Sequence, residues 1–193
     1  MKTNLLLFFI LLNIVQITQA QKTTILKAKV DKTLIKSGKF KNYYQYKLGD
    51  FDFLNGRFEN NLKFKIRDNL KDSIVFNYNN SQSEAMILKP IFFITNDLKI
   101  ILIMIEIAAE YSWGQELVLI NNGKITKLAY LDYAVNLENG LSISDYCKLS
   151  FENGKIILTF ENVPIIYWPE QSKIINGNEL KFIINNDKIE RIK

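Results

Sequence analysis

The side chains of this chain that could perform acid–base chemistry are carboxylates, because the sequence contains no histidine and only one cysteine. Without imidazole, the commonest general base and the commonest metal ligand are both absent. A single cysteine cannot supply the set of thiolates that a structural zinc site requires. The sequence also lacks the glycine-rich patterns that bind phosphate groups. We therefore predict no metal site and no cofactor.

Three glutamates near the middle of the chain, Glu106, Glu110 and Glu116, are the candidates for catalysis. Two carboxylates on either side of a glycosidic bond can hydrolyse it. Glu106 stands out because it interrupts the most apolar run of the sequence, Ile100 to Ile107, where burial would raise its pKa and suit a general acid. The alternative, and the commoner case, is a glutamate near a strand end that reaches solvent or pairs with lysine.

The segment that follows this run has the composition of a ligand-binding loop. Trp113 stands beside Gly114, and Glu110 and Gln115 are close enough in sequence to form hydrogen bonds to a molecule stacked on the indole. Trp168 belongs to a second aromatic segment near the end of the chain. The alternative is that both tryptophans pack against the ends of the core. If the site binds a ligand, we expect it to involve Trp113, Gln115, Glu110 and Trp168.

The segment from Asp50 to Gly56 resembles a calcium-binding loop only superficially, because its acidic residues and glycine are in the wrong register. The alternation instead predicts a strand with Phe51 and Phe53 inside and the aspartates outside, ending in a turn at Asn55 and Gly56.

Positive charge is concentrated in the segment from Gln21 to Lys47, which contains eight lysines against Asp31, a net charge of +7. Three tyrosines, Tyr43, Tyr44 and Tyr46, lie among these lysines. A stretch of this kind can dock to an anionic envelope surface, an acidic glycan or an acidic protein. The alternative, and the commoner case, is a solvated lysine face that protects an edge strand. Nucleic acid is not predicted, because only three of the 25 basic residues are arginine.

The first twenty residues have the pattern of a secretory signal peptide. Lys2 precedes the apolar run Leu5 to Leu12, and Thr18-Gln19-Ala20 is a typical cleavage site. We therefore predict cleavage near Ala20, a secreted or periplasmic location, a single domain over residues 21–193 and no transmembrane anchor. Cys147 has no partner for an internal disulfide and is predicted to be a small buried side chain.

Turn signals and apolar alternation predict the elements that hold these residues. Asn-Gly occurs five times, and apolar runs flank Asn122-Gly123 and Asn153-Gly154, which indicates antiparallel hairpins. Leu180 to Ile184 and Lys188 to Ile192 form a similar pair around Asn186-Asp187. Ile100 to Ile107 is apolar enough to require cover on both faces. The predicted fold is mainly β, an antiparallel meander of hairpins in a sandwich or barrel-like two-layer domain with at most one short helix.

These features predict an exported, monomeric binding or interaction domain whose partner is an unknown protein, peptide or glycan in the cell envelope or outside the cell. Two alternatives remain open at this stage. One is a carboxylate-based hydrolase acting on glycans. The other is a protein inhibitor or immunity-type partner that presents a β edge or hairpin to its target.

Overall fold

The structure is a computed structural model that describes residues 23–36, 41–58, 61–79, 87–109, 112–135, 142–167 and 173–192. Nearly all of these residues form antiparallel strands, which confirms the mainly β prediction. The described helical elements are two three-residue 3-10 turns, Ile143–Asp145 and Gly177–Glu179. None of the described residues forms a helix long and apolar enough to cross a membrane. The predicted signal peptide, residues 1–20, lies outside the described residues.

The described strands are numbered in chain order and assemble into four antiparallel sheets. They are β1 (Thr23–Thr24), β2 (Leu26–Ala28), β3 (Lys32–Lys36), β4 (Lys41–Leu48), β5 (Phe51–Phe58), β6 (Asn61–Asp68), β7 (Ser73–Asn79), β8 (Ile87–Ile94), β9 (Ile100–Ala108), β10 (Ser112–Asn121), β11 (Lys124–Leu131), β12 (Tyr133–Val135), β13 (Cys147–Glu152), β14 (Lys155–Phe160), β15 (Pro164–Tyr167), β16 (Lys173–Asn176), β17 (Lys181–Asn185) and β18 (Lys188–Ile192). The N-terminal sheet has the order β3-β4-β5-β6-β7, and the central sheet has the order β11-β10-β9-β8-β2. The C-terminal sheet has the order β1-β13-β14-β17-β18, and a small sheet has the order β12-β15-β16.

The central sheet is covered on both faces, as the sequence predicts for its middle strand β9. Ile103 packs into a core shared with the N-terminal sheet. The next residue along the chain, Leu102, packs on the opposite face into a core shared with the C-terminal and small sheets. The molecule therefore has three layers, one more than the predicted sandwich. The physical reason is that every residue of β9 up to Ile107 is buried, so each face of the strand needs its own covering sheet.

The hairpin predictions with flanking apolar runs are confirmed. Asn122 and Gly123 connect β10 to β11 with φ angles of 48° and 79°, as a two-residue hairpin turn requires. The same geometry joins β13 to β14, and Asn186 with φ 56° begins the turn between β17 and β18.

The predicted turn at Asn55 and Gly56 is wrong, because both residues lie inside β5. The Asn55 side chain faces the core and donates a hydrogen bond from Nδ2 to the Leu88 carbonyl at 2.6 Å. A Cβ at Gly56 would lie 2.4 Å from the Asn42 carbonyl oxygen, so this glycine serves a close approach of β4 to β5. Asn176-Gly177 likewise begins a 3-10 turn, and Asn139-Gly140 lies outside the described residues.

Candidate functional site

The outward side of the N-terminal sheet carries a cluster of cations and aromatic rings that we call the cationic face. Its members alternate with core residues along β4, β5 and β6, so they point away from the central sheet. They are Tyr43, Gln45, Lys47, Asp52, Leu54, Phe58, Lys63, Lys65 and Arg67. The face has four basic side chains against one carboxylate. Most of its members are at least partly exposed, so the face is accessible to a ligand.

Three of the cations form a line along one strand. Lys63, Lys65 and Arg67 occupy every second position of β6, which spaces them about 7 Å apart. Lys47 lies two strands away, in the same row as Arg67. Among the described residues, neither Lys47 nor Lys63 has an ion-pair partner, whereas Arg67 pairs with Asp72 in the following turn. Lys47 and Lys63 therefore present positive charge on this face that no described carboxylate neutralises by an ion pair.

Aromatic rings lie at one end of this line. The rings of Tyr43 and Phe58 stack with their centroids 5.0 Å apart, and the Lys65 ammonium lies 4.4 Å from the Phe58 centroid. Gly56 stands between Tyr43 and Lys63 in the same row and contributes no side chain. The backbone of β4 comes close to β5 at this point, because the Asn42 carbonyl oxygen lies 2.4 Å from where a Gly56 Cβ would be.

A single carboxylate, Asp52, lies at the other end of the face between Lys47 and Arg67. Gln45 donates a hydrogen bond from Nε2 to Asp52 Oδ2 at 2.8 Å. The second oxygen, Oδ1, is buried and accepts no hydrogen bond. A cleft of about 340 Å³ opens beside this end, and its walls include Lys29, Gln45 and Lys47. The face thus continues into a concave region whose walls also carry one lysine, Lys29, and one carboxylate, Asp31.

The basic segment predicted from the sequence contributes only part of the cationic face. Tyr43 and Lys47 belong to it, but Tyr46 points into the core and Tyr44 lies on the same side as Tyr46. Lys27 pairs with Asp145 at 2.6 Å. The alternation of Lys63 and Lys65 with apolar residues indicates an exposed cationic strand. The sequence does not show, however, that β6 lies across β5 from Tyr43.

The structure places two of the candidate catalytic glutamates on opposite faces of the central sheet. Glu116 is paired with Ile105 and faces the core shared with the N-terminal sheet. Glu106 is paired with Gln115 and faces the other core. They therefore do not flank a common space, as a pair of hydrolytic carboxylates must. Glu110 lies outside the described residues.

Glu116 occupies the more unusual environment of the two. It is 2% exposed, its Oε2 lies 2.9 Å from the Lys127 ammonium, and its Oε1 accepts no hydrogen bond. Burial raises the pKa of Glu116, and Lys127 offsets only part of that effect. The ammonium of Lys127 also lies 5.3 Å from the centroid of the Tyr78 ring. Neighbouring Tyr130 has its pKa raised to about 12, chiefly by burial. This group joins the central sheet to β7.

The predicted ligand-binding residue Gln115 is fully buried, and it holds strands together. Its Nε2 donates to the Tyr133 carbonyl at 3.1 Å and to Ser112 Oγ at 3.3 Å, which ties β12 to β10. Glu106 and Lys89 lie beside it in the same row of the central sheet. Trp113 is the extra residue of a bulge in β10, and its side chain lies outside the described part, as does Trp168.

Cys147 lies at the start of β13 with its Sγ 4.0 Å from Met104 Sδ, packed against the core. Burial raises the pKa of the Cys147 thiol, so the unreactive thiol form is favoured. Within the described residues, no three Cys, Asp or Glu side chains come close enough to hold a metal ion.

Comparison of this chain with protein-family models, with curated proteins and with solved structures found no match.

Proposed function

We propose that this protein is a binding domain that uses the cationic face to hold an extended anionic glycan. The observation that carries the proposal is the line of Lys63, Lys65 and Arg67 along β6 next to the stacked rings of Tyr43 and Phe58. Regularly spaced cations suit a polymer with repeating negative charge, since each ion pair forms without bending the ligand.

The aromatic rings favour a glycan over other polyanions. Sugar rings stack their C–H faces on tyrosine, and the ring of Tyr43 is partly exposed on this face. Lysine outnumbers arginine on the face, which suits carboxylate or sulfate groups on a flexible polymer better than the bidentate recognition of nucleic-acid phosphates. Export, as predicted from the sequence, would bring the face to envelope or extracellular glycans.

A binding role is better supported than hydrolysis. The described candidate carboxylates are separated by the central sheet, and the one carboxylate on the cationic face, Asp52, has no second carboxylate opposite it in register. The face can therefore hold a polymer, but it offers no acid–base pair to cut one.

The test measures binding of the chain from Gln21 onward to polygalacturonate and to neutral dextran by isothermal titration calorimetry. We expect saturable binding to polygalacturonate that weakens with added salt, and none to dextran. Lys63→Glu/Lys65→Glu should weaken binding by about ten-fold or more, because it reverses two of the three charges of the line. The matched control is Lys155→Glu/Lys181→Glu, which makes the same change on the exposed side of the C-terminal sheet.

A second pair of variants tests the glycan assignment. Tyr43→Ala should weaken binding to polygalacturonate but leave binding to inorganic polyphosphate unchanged, because polyphosphate has no ring to stack. Tyr44→Ala removes a ring on the opposite side of the same strand and should change neither. Equal losses for the two charge-reversal variants would contradict the proposed site, and equal effects of Tyr43→Ala on both polyanions would contradict the glycan.

A further inference from the structure

The segment between β2 and β3 crosses from the central sheet to the N-terminal sheet, and a cleft lies beside it. β2 pairs with β8 as far as Ala28, which is opposite Phe92. The same register would set Val30 opposite Pro90, and proline has no N–H group with which to continue the ladder. The chain therefore leaves the edge of β8 at this point, and β3 begins at Lys32 in the other sheet.

The cleft has a volume of about 420 Å³ and mainly apolar walls. This volume falls within the range of about 300–1,000 Å³ that is usual for small-molecule sites. Phe92 and Tyr46 are 2% and 9% exposed, and the centroids of their rings lie 5.5 Å apart. Val30, Pro90 and Ile91 also line the cleft. A ligand here would therefore cover apolar surface at the border of the core between the two sheets.

Two lysines, Lys27 and Lys29, line the same cleft, and no described carboxylate does. The Lys27 ammonium is already paired with Asp145 at 2.6 Å. Lys29 is exposed and has no ion-pair partner among the described residues. Asp31 lines the neighbouring cleft of about 340 Å³, which Lys29 shares. The cleft of about 420 Å³ therefore combines apolar walls with one cation whose charge no ion pair neutralises.

A larger cleft of about 540 Å³ offers no such cation. It lies among the hairpin turns of the N-terminal and central sheets. Both lysines that line it are paired with aspartates of the same cleft. Lys71 lies 3.0 Å from Asp68, and Lys99 lies 3.4 Å from Asp97. An anionic ligand would therefore have to compete with these carboxylates for the lysines.

We propose that the cleft beside the crossing segment binds an amphipathic carboxylate, a molecule with an apolar body and one carboxylate at its end. The apolar body lies against Tyr46, Phe92 and Val30, and the carboxylate pairs with the exposed Lys29 ammonium. The charge of Lys29 decides the class, because an amphipathic cation would be repelled by it. The walls come from the crossing segment, β4 and β8 and enclose a limited volume, which suits a free molecule better than a membrane surface. This binding does not depend on a glycan on the cationic face.

Isothermal titration calorimetry of the chain from Gln21 onward tests the site with sodium octanoate and sodium decanoate, below the concentrations at which they form micelles. We expect saturable binding of one molecule per chain. Decanoate should bind about three-fold or more tightly than octanoate, because two further methylene groups leave water. Octylammonium has the same chain as octanoate with the opposite charge, and it should bind about ten-fold or more weakly than octanoate.

Charge reversal at Lys29 tests the assigned ion pair. Lys29→Glu should weaken decanoate binding by about three- to ten-fold, because a repulsion replaces an exposed ion pair. Lys36→Glu is the matched control, since it makes the same change at an exposed lysine of β3 that does not line the cleft. It should bind decanoate like the unmodified protein. Both variants alter only an exposed side chain, so a difference between them cannot be ascribed to misfolding.

Methyl ¹H–¹³C spectra locate the bound decanoate. The Val30 signals should shift during the titration. Those of Ile183, which points away from the core of the C-terminal sheet, should not. Absence of saturable decanoate binding, equal losses in the two lysine variants, octylammonium bound as tightly as octanoate, or unchanged Val30 signals would each overturn the proposal. Association with phosphatidylglycerol vesicles but not with monomeric decanoate would also overturn it.

Discussion

Alanine substitutions at two adjacent residues of β9 test the three-layer arrangement. Ile103 and Leu102 are each 0% exposed, and they point into different cores. Each substitution removes three carbons, worth roughly 2.4 kcal/mol of transfer free energy at about 0.8 kcal/mol per carbon. The cavity that remains adds to this loss, so we expect Ile103→Ala and Leu102→Ala each to lower the free energy of unfolding by about 2–5 kcal/mol.

Urea titration monitored by circular dichroism measures both losses, provided that the dependence of the unfolding free energy on urea concentration is the same in the variants as in the unmodified protein. Leu70→Ala is the control, since its side chain is largely in solvent and its removal should cost less than about 0.5 kcal/mol. In a two-layer sandwich, one of the two β9 residues would face solvent. A loss below about 0.5 kcal/mol for either Ile103→Ala or Leu102→Ala would therefore refute the three-layer arrangement.

Other measurements test individual groups. Because burial raises the pKa of Glu116 above its unfolded value of 4.5, the folded protein binds this proton more tightly, and the glutamate contributes more stability as pH falls through the raised pKa. Urea titrations from pH 7 to pH 4.5 should therefore show the protein gaining stability relative to Glu116→Gln as pH falls; a constant difference would argue against the raised pKa. Cys147 should react with a thiol reagent at pH 8 only after urea unfolds the chain, and rapid labelling of the folded protein would contradict its packing against Met104. N-terminal sequencing of the exported protein should begin at Gln21, and an intact Met1 would contradict the signal peptide.

The elements of the fold were predictable where local sequence determines local geometry. Asn122-Gly123 accepts positive φ at both residues, and the apolar runs on either side have nowhere to pack except against each other and the core. Asn55-Gly56 consists of the same two residue types but lies inside a strand. Its conformation depends on contacts with Leu88 and Asn42, which are distant in sequence. A dipeptide cannot reveal which of these environments surrounds it.

The candidate site was less predictable, because it combines residues from three strands. Lys63 and Lys65 indicate an exposed side of β6, but only the strand order places them across Gly56 from Tyr43. At Gln115 the sequence neighbours suggested a ligand-binding side chain. In the structure the Gln115 amide is buried and joins two strands through its hydrogen bond to the Tyr133 carbonyl. Pairing between distant strands decides both cases, and side-chain types alone carry little information about it.

The most direct test of the central claim is to map the bound polymer on the protein by ¹H–¹⁵N correlation spectra during titration with polygalacturonate oligomers. We expect shifted amide signals concentrated in β4, β5 and β6, strongest near Tyr43 and Lys63, with the C-terminal sheet unaffected. Shifts confined to β13, β14 and β17, or centred on the segment around Trp113, would contradict it.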